Sequence, residues 1–479
     1  MNFRNYTLII FFLISNSINA QKYGNVWHFG DQAGIDFKSC KAEAFISSSI
    51  TGFEGCAAIC DNNGNILFYT NSDVVWNKTN SVMSNGNLIS SSGSLSQVLI
   101  IPKPGSTTIF YIITTKIQAS GNLTMQYHTI DMLQNSGLGE VVSSNNVMTT
   151  WNITEQVAAT THANGTDIWV MTHEYGTDKF LSFLVTSGGI NLTPIISSIG
   201  PTHVSCTSNI NSRGEIKFSP DGSMVAFNGN GVGNNSSTNI LALFDFDNAT
   251  GIVSNAINLP YSNGEFGLSF SPDNSKLYGS TWKAFAFGAG EYNYIYQFDL
   301  SSGNPNSIIN SKVIIDSVAT NSIYGSMKIG PDGKIYVARM NAQYVGVINE
   351  PNLVGVACNY VSNGFYLDGK ICKYGLNNYI EYQTYCTPAT SIDQVNAESN
   401  LISIFPNPVS EKTKIKIKVE LKKATMIVFN SLNQEISRIV NVSGNQFEFD
   451  SNNLPAGLYY ILLIEDNSEI ARNKFVKVE

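Results

Sequence analysis

The sequence predicts an all-β protein: a β-propeller, with seven blades favoured and six as the alternative, followed by a small C-terminal β-sandwich. A repeated hairpin is the first observation behind this prediction. Residues 218–227, FSPDGSMVAF, return as FSPDNSKLYGS from Phe270 and as KIGPDGKIYVA from Lys328. Each copy reads as a strand, a tight turn and a second strand, because Pro fixes φ while Gly or Asn accepts positive φ. Only 13% of the residues are charged, which suits many short strands joined by polar turns.

The spacing of the turns is the second observation. The blade turns of the three copies contain Pro220, Asp221, Gly222, Pro272, Asp273, Pro331, Asp332 and Gly333. Aligning six turns at Gly64, Gly105, Gly165, Gly222, Asn274 and Gly333 gives gaps of 41, 60, 57, 52 and 59 residues. Blades of kelch-like propellers repeat at about 50 residues. Residues 21–385 therefore hold a little under seven units, and four-stranded units of this kind must stack around an axis to bury both faces.

Ring closure is expected to join the two ends of the repeat region. Residues 26–37, VWHFGDQAGIDF, and residues 374–385, YGLNNYIEYQTY, each lack a complete set of four strands. A propeller closes when its first and last strands share a blade, which removes exposed sheet edges. We therefore expect these two segments to lie in one blade.

Composition and charge divide the rest of the chain. Residues 1–20 have a short basic start, an apolar run and a small residue at Ala20, as in a secretory signal peptide. Residues 386–400 are polar and predict a linker to a domain at residues 401–479. That domain holds 10 Lys and Arg residues and 9 Asp and Glu residues. Residues 1–400 hold the other 18 basic and 27 acidic residues, so they carry a net negative charge. The acidic larger part argues against nucleic acid as a partner, and no later apolar run is long enough to predict a transmembrane segment.

The C-terminal domain, read as seven short strands, carries three motifs. They are Phe405-Pro406-Asn407-Pro408, Leu454-Pro455-Ala456-Gly457-Leu458-Tyr459 and Lys474-Phe475-Val476-Lys477. In combination they closely resemble the type A C-terminal sorting domain of the Bacteroidetes type IX secretion system, with Pro406, Asn407, Pro408, Gly457, Leu458, Tyr459 and Lys474 as the sorting signal. The resemblance implies export through the periplasm by the type IX machinery, to the medium or the outer-membrane surface. It also implies removal of the domain, often with attachment to surface lipopolysaccharide. The alternative is a fibronectin-like accessory binding domain.

Residues 23–385 resemble a Bacteroidetes surface propeller family related to WD40-like repeats. The similarity lies in Trp27-His28-Phe29-Gly30, ILFYTNSDVVWN, IPKPGS and SPDG. This resemblance implies the fold and a surface location but no particular chemistry.

Seven cysteines stand in a chain expected to be exported, where thiols can oxidise. Cys358 and Cys372 flank a turn region and are the expected disulfide. Cys206 is expected to be buried and unpaired. The absence of a CxxC pair argues against a zinc site.

The sequence contains no catalytic, cofactor-binding or metal-binding motif. We therefore predict no catalytic site, no metal site and no bound cofactor. Acids on different blades could still converge at the axis, where Glu155, Glu174, Glu215, Glu265 and Glu291 are candidates. Tryptophans are expected mainly in the packing between blades, with one or two at the rim stacking on sugar rings; they are Trp76, Trp151, Trp169 and Trp282.

Three functions fit this picture. The first is a non-enzymatic surface or secreted protein that binds a glycan or protein ligand through its loops. The second is a propeller hydrolase or lyase acting on polysaccharide or peptide, which a cluster of acids at one mouth of the channel would favour. The third is a passive surface-layer or matrix component. Fold alone does not choose among them.

Overall fold

The structure is a computed structural model. It describes residues 22–88, 97–117, 122–202, 213–229, 240–261, 264–282, 292–319, 322–380, 385–386, 402–430, 435–465 and 468–478. The chain divides into two compact units, Met1–Pro388 and Ala389–Glu479. The expected signal peptide and residues 387–400 of the expected linker lie outside the described residues.

The described strands of the first unit form seven antiparallel groups in chain order. The groups are β1 (Val26–Phe29), β2 (Ala33–Asp36) and β3 (Glu43–Ala44); β4 (Ala57–Cys60), β5 (Ile66–Thr70), β6 (Val74–Asn77) and β7 (Val82–Asn87); β8 (Val98–Pro102), β9 (Ile109–Ile117), β10 (Leu123–Asp131) and β11 (Glu140–Thr149); β12 (Ala158–Thr161), β13 (Ile168–His173), β14 (Lys179–Thr186), β15 (Gly189–Ile190) and β16 (Ile195–Ser198); β17 (Ile216–Phe218), β18 (Met224–Gly229), β19 (Ile240–Asp247) and β20 (Ile252–Asn258); β21 (Glu265–Phe270), β22 (Lys276–Thr281), β23 (Tyr292–Asp299) and β24 (Val313–Ala319); β25 (Tyr324–Ile329), β26 (Ile335–Arg339), β27 (Tyr344–Ile348) and β28 (Tyr360–Tyr366). A single parallel pair, Ser84 with Glu140, joins β7 to β11. A short helix, α1 (Pro305–Asn310), connects β23 to β24.

The residues of the three repeated turns lie in hairpin turns of the structure. Three hairpin turns, β17–β18, β21–β22 and β25–β26, contain Pro220, Asp221, Gly222, Pro272, Asp273, Pro331, Asp332 and Gly333. The Asp221 carboxylate accepts hydrogen bonds from Ser223 N at 3.0 Å and Ser219 Oγ at 2.5 Å, and Gly222 has a φ of 69°. The aspartate therefore holds the turn by satisfying backbone amides that the hairpin leaves unpaired.

Aromatic side chains fill the space between neighbouring groups. Between the groups β12–β16 and β17–β20, the Phe180 ring makes edge-on contacts with two other rings. Its centroid lies 4.8 Å from that of Phe244 and 5.6 Å from that of Phe227. Trp169 packs edge-on against Phe246 in the same cluster. These contacts bury the faces of sheets that could not be stable alone.

The chain closes the ring through residues 371–380, which pass between β25 and β4. Tyr374 O accepts a hydrogen bond from Ser326 N at 2.8 Å, and Tyr374 N donates to Phe53 O at 2.9 Å. Further along, the Tyr379 ring lies 6.2 Å from the Trp27 ring on β1. The closing segment thus bonds to the chain beside β4 and β25 and packs on β1, although residues 374–380 form no regular ladder with a described strand.

The second unit is a sheet of five described strands with one buried face. Its strands are β29 (Ile402–Phe405), β30 (Lys412–Asn430), β31 (Glu435–Asp450), β32 (Gly457–Glu465) and β33 (Ser468–Lys477). The order is β29-β30-β32-β33, and β31 also pairs with β30. The prediction of seven short strands is wrong. The long β30 passes through register shifts at Leu421 and Ala424 instead of breaking there.

The close approach at Gly375 gives a direct test of ring closure. A methyl group at this position would lie 1.6 Å from Glu54 O, a backbone atom that cannot rotate away. We expect Gly375→Ala to lower the free energy of unfolding by about 3 kcal/mol or more, measured by urea denaturation.

Gly188→Ala is the matched control. Gly188 is exposed, and a methyl group there would meet only Thr186 Oγ1 at 3.4 Å, so the change should stay within about 0.5 kcal/mol. Equal stability of the two variants would show that residues 371–380 do not pack against β4.

Candidate functional site

The inner strands of five groups begin with the same kind of residue. A Glu or Gln stands at or just before the start of each strand: Glu54 before β4, Gln97 before β8, Glu155 before β12, Glu215 before β17 and Glu265 at the start of β21. Because the inner strands of a propeller run side by side along the channel, such residues collect at one end of it. We call Glu54, Glu155, Glu215 and Arg213 the mouth cluster.

Glu215 is the best satisfied member of the mouth cluster. One carboxylate oxygen, Oε2, accepts a hydrogen bond from Leu268 N on β21 at 2.7 Å. The other, Oε1, accepts from Ser326 Oγ on β25 at 2.7 Å and lies 3.4 Å from Lys217 Nζ. The buried carboxylate therefore connects three strand groups, which identifies it as a structural acid.

Glu54 and Glu155 are in a different position. Each is buried and has an Oε1 atom that accepts no hydrogen bond from any residue the structure describes. Burial raises the pKa of Glu155 to about 7, although the positive charge of Arg213 opposes the shift. Burial and the negative charges of Glu155 and Glu215 raise the pKa of Glu54 well above its ordinary value. At neutral pH the Glu155 carboxyl is therefore partly protonated, and the pKa of Glu54 is shifted in the same direction.

Amide side chains tie the neighbouring inner strands together beside this cluster. Gln97 Nε2 donates to Gly214 O at 2.9 Å, and its Oε1 accepts from Val157 N at 3.3 Å. Gln156 Nε2 donates to Asn228 O at 2.7 Å. These bonds satisfy backbone groups that would otherwise be buried without partners.

Four rings cover the mouth cluster; we call Phe53, Phe266, Trp282 and Tyr374 the mouth aromatics. Tyr374 lies 4.8 Å from Phe53, 6.0 Å from Phe266 and 5.3 Å from Trp282, measured between ring centroids. Arg213 stacks over the Trp282 ring at 5.4 Å. Phe53, Arg213 and Trp282 are half-buried, so this part of the site reaches the surface.

The space next to the acids is small. A cavity of about 10 Å³ lies among Glu54, Gln97, Glu215, Lys328 and Asn377. That volume suits about one water molecule. Residues 374–380 occupy the rest of the region, since Asn378 N donates to Cys56 O at 2.8 Å and Lys328 Nζ donates to Tyr379 O at 2.6 Å.

The predicted axial acids are only partly brought together. Glu155 and Glu215 lie in the mouth cluster. Glu265 is buried and accepts a hydrogen bond from the Tyr296 hydroxyl, whereas Glu174 pairs with Lys179 at 3.0 Å. Glu291 lies outside the described residues.

Sequence reasoning missed Glu54 and Arg213. The Glu and Gln residues stand 7 to 10 residues before their aligned turns, so the turn alignment gives no signal that would have found Glu54. Arg213 stands nine residues before Gly222, as Glu265 stands nine before Asn274, so the repeat gives no reason to expect a basic residue there.

The tryptophans divide as expected into packing and surface positions. Trp76 is buried and stacks on Tyr69 at 5.5 Å, and Trp169 is buried and donates from Nε1 to Asn248 O at 2.9 Å. Trp151 is half-buried beneath Lys179 at 5.4 Å. Trp282 is the tryptophan that reaches the mouth cluster.

The predicted disulfide between Cys358 and Cys372 is not formed, because both thiols are free and buried. Cys358 packs in the cluster of β25–β27 with Tyr278, whereas Cys372 packs in a separate cluster with Trp27. The turn between them in sequence therefore does not bring their side chains together. Cys206 lies outside the described residues.

The motif residues of the second unit meet in space. Asn407 Nδ2 donates to Lys474 O at 3.1 Å, and its Oδ1 accepts from Val476 N at 2.9 Å. Thr413 Oγ1 donates to Pro406 O at 2.8 Å. Three motif residues of β32 pair with β33, Gly457 with Lys477, Leu458 with Val476 and Tyr459 with Phe475, while Val409, next to Pro408, bridges to Lys477.

In the described part of the chain, no three His, Cys, Asp or Glu side chains lie together as a metal site requires. No helix among the described residues is long and apolar enough to cross a membrane.

The pKa of Glu155 makes stability depend on pH. The folded state holds the proton up to about pH 7, whereas an unfolded Glu releases it near 4.5, so stability falls as pH rises between these values. We expect Glu155→Gln to reduce that fall by roughly 2–3 kcal/mol, measured by urea denaturation from pH 4.5 to 7.5. Exposed Glu350→Gln is the control, and an unchanged slope in Glu155→Gln would contradict the buried, protonated carboxyl.

Comparison with known proteins adds a family for one end of the chain. Residues 403–478 match the family model of the secretion system C-terminal sorting domain. No curated protein sequence matches the chain.

Among solved structures, hydrazine synthase of Kuenenia stuttgartiensis is 10% identical, with a TM-score of 0.39 over 68% of this chain and 87% of that one. A gluconolactonase from Xanthomonas campestris is 11% identical, with a TM-score of 0.29 over 57% and 80%. The Dos1 propeller is 8% identical, with a TM-score of 0.36 over 75% and 94%. Similarity this low says nothing about activity. The chain is a propeller-type β protein by its strand groups, and its residues 403–478 match the secretion system C-terminal sorting domain.

Proposed function

We propose that this protein is a non-enzymatic binding protein of the bacterial surface, and that it binds a glycan at the mouth aromatics. The observation that carries the proposal is the half-buried Trp282 ring, which lies under Arg213 and 5.3 Å from the Tyr374 ring. A sugar offers C–H faces for an aromatic ring and hydroxyls for a guanidinium. Rings held in place by their neighbours lose little freedom when a ligand binds.

The acids below this surface support binding over catalysis. Both carboxylate oxygens of Glu215 accept hydrogen bonds from protein donors, and the adjacent cavity has room for about one water molecule. A glycosidase must hold a sugar ring between two carboxyls, which requires far more space. In this arrangement the acids shape the floor of the site.

Hydrolysis is the second candidate, because one observation favours it. Glu155 has a pKa of about 7 and shares the mouth with Glu54 and Glu215. A carboxyl that stays protonated near neutral pH can act as a general acid. If residues 374–380 moved aside, this group would be the acid that reaches a substrate.

Export of the protein determines the compartment in which it would meet a ligand. The sorting domain implies the type IX machinery as a partner and the cell surface as the destination. We propose, in addition, that an N-terminal signal peptide directs the chain to the periplasm. We also propose that the sorting domain is removed on export, with attachment to surface lipopolysaccharide.

Binding is tested with a glycan array on the purified protein, followed by calorimetry on the polysaccharides that bind. We expect Trp282→Ala to weaken binding at least tenfold, because it removes the ring on which the sugar stacks; tenfold corresponds to about 1.4 kcal/mol. Release of reducing sugar and of free amine from the same polymers is measured in parallel.

Tyr366→Ala is the control, because Tyr366 is an exposed aromatic on the outer strand β28 and should leave binding unchanged. If both variants lose affinity equally, or if Trp282→Ala still binds as the wild type does, the binding site does not lie at the mouth aromatics. If the wild-type protein cleaves a polymer and Glu155→Gln does not, the protein is a hydrolase and the binding proposal is wrong.

A further inference from the structure

Two half-buried thiols meet where the ring closes. Cys40 lies between β2 and β3 in the N-terminal blade, and Cys386 follows the closing segment. Cys386 stands 346 positions (386 minus 40) after Cys40 in the sequence, yet the two thiols are close enough in the folded chain to interact.

Backbone contacts hold both cysteines on the same patch of the ring. Cys40 N donates to Phe37 O at 2.9 Å, and Cys386 N donates to Pro331 O at 2.7 Å. The Phe37 ring in turn packs on Gly330, where a methyl group would lie 3.1 Å from Phe37 Cε1. The proximity of the thiols therefore follows from ordered backbone on both sides.

We propose that Cys40 and Cys386 form a disulfide in the exported protein, which locks the N-terminal blade to the end of the ring. The proposal rests on export by the sorting domain and not on glycan binding. Disulfides persist in oxidising compartments such as the periplasm and the cell surface. The bond would hold the ring closed even where the chain beyond residue 386 is removed.

The chemistry requires an oxidant, which we take to be the disulfide of a periplasmic thiol oxidoreductase. Burial and the adjacent Cys40 thiol raise the pKa of Cys386 to about 12. The step balances with either thiol as the first nucleophile, for example Cys40. The Cys40 thiolate forms a mixed disulfide and releases one oxidant thiol. Cys386 then loses its proton and attacks Cys40 Sγ, which releases the second thiol. Two protons and two electrons pass to the oxidant disulfide.

A second pair of cysteines lies nearby and is the main competitor. Gly30 N donates a hydrogen bond to the Cys56 thiol, and a methyl group at Gly30 would lie 3.2 Å from Cys372 Cα. Both of these thiols are fully buried, however, whereas Cys40 and Cys386 are partly exposed. An oxidising protein reaches the exposed pair.

The test is made on the full chain secreted by a bacterium with type IX machinery. Thiols are trapped by alkylation at low pH, and the unreduced protein is digested and analysed by mass spectrometry. We expect one cross-linked peptide pair that joins Cys40 to Cys386, lost on reduction with a gain of two hydrogens. Alkylation of both cysteines, or a cross-link of either one to another cysteine, would overturn the proposal, as would a Cys56–Cys372 cross-link found in its place.

Thermal unfolding gives a second readout. A reductant should lower the Tm of the wild-type protein by roughly 3–8 °C, because the bond closes a long loop. Cys40→Ser and Cys386→Ser should each lose this response to reductant, whereas Cys358→Ala should keep it. A reductant response that survives in Cys40→Ser would count against the bond. Trp282→Ala should retain the cross-link, so failure of the binding proposal and failure of the disulfide are distinguishable.

Discussion

The structure depends on how polar groups at the start of the inner strands are satisfied, because they lie where little water reaches. Glu215 takes donors from β21 and β25 and lies beside Lys217. A buried carboxylate that loses such partners costs several kcal/mol. The strand groups are therefore fixed to one another by a few directional bonds as well as by the aromatic packing between them.

The same constraint explains the closing segment. Tyr374 and Asn378 supply amides to carbonyls of the chain that leads into β4, and Gly375 allows that close approach because it has no side chain. The segment thus satisfies backbone groups that an open channel would leave to water.

Glu54 and Glu155 are the exceptions, since each retains a buried oxygen without a hydrogen bond from a described residue. Glu215 is satisfied on both oxygens, whereas these two buried oxygens lower the stability of the fold at this place. Such local costs are common at binding and catalytic sites. Their position under Trp282 and Arg213 ties the candidate site to the closing contacts of the ring.

The sequence predicted what depends on local signals. Turn residues such as Asp221 and Gly222, the repeat they mark, and the sorting-domain motifs around Asn407 are readable because neighbouring residues determine them. The mouth cluster depends on contacts among distant strands, so Glu155 and Glu215 were two candidates among several acids. For the same reason the sequence suggested Cys358 with Cys372, which are near in the chain, and gave no signal for Cys40 with Cys386, which approach each other only in the folded ring.

Hydrogen–deuterium exchange at residues 371–380 tests the central claim of a ring closed along its axis. The amides of Tyr374 and Asn378 donate to Phe53 O and Cys56 O, so they should exchange as slowly as amides of β4 and β25. Exchange as fast as at the exposed turn residues Gly165 and Gly176 would show that the segment does not fill the channel. The account of a closed ring with a site confined to its mouth would then be wrong.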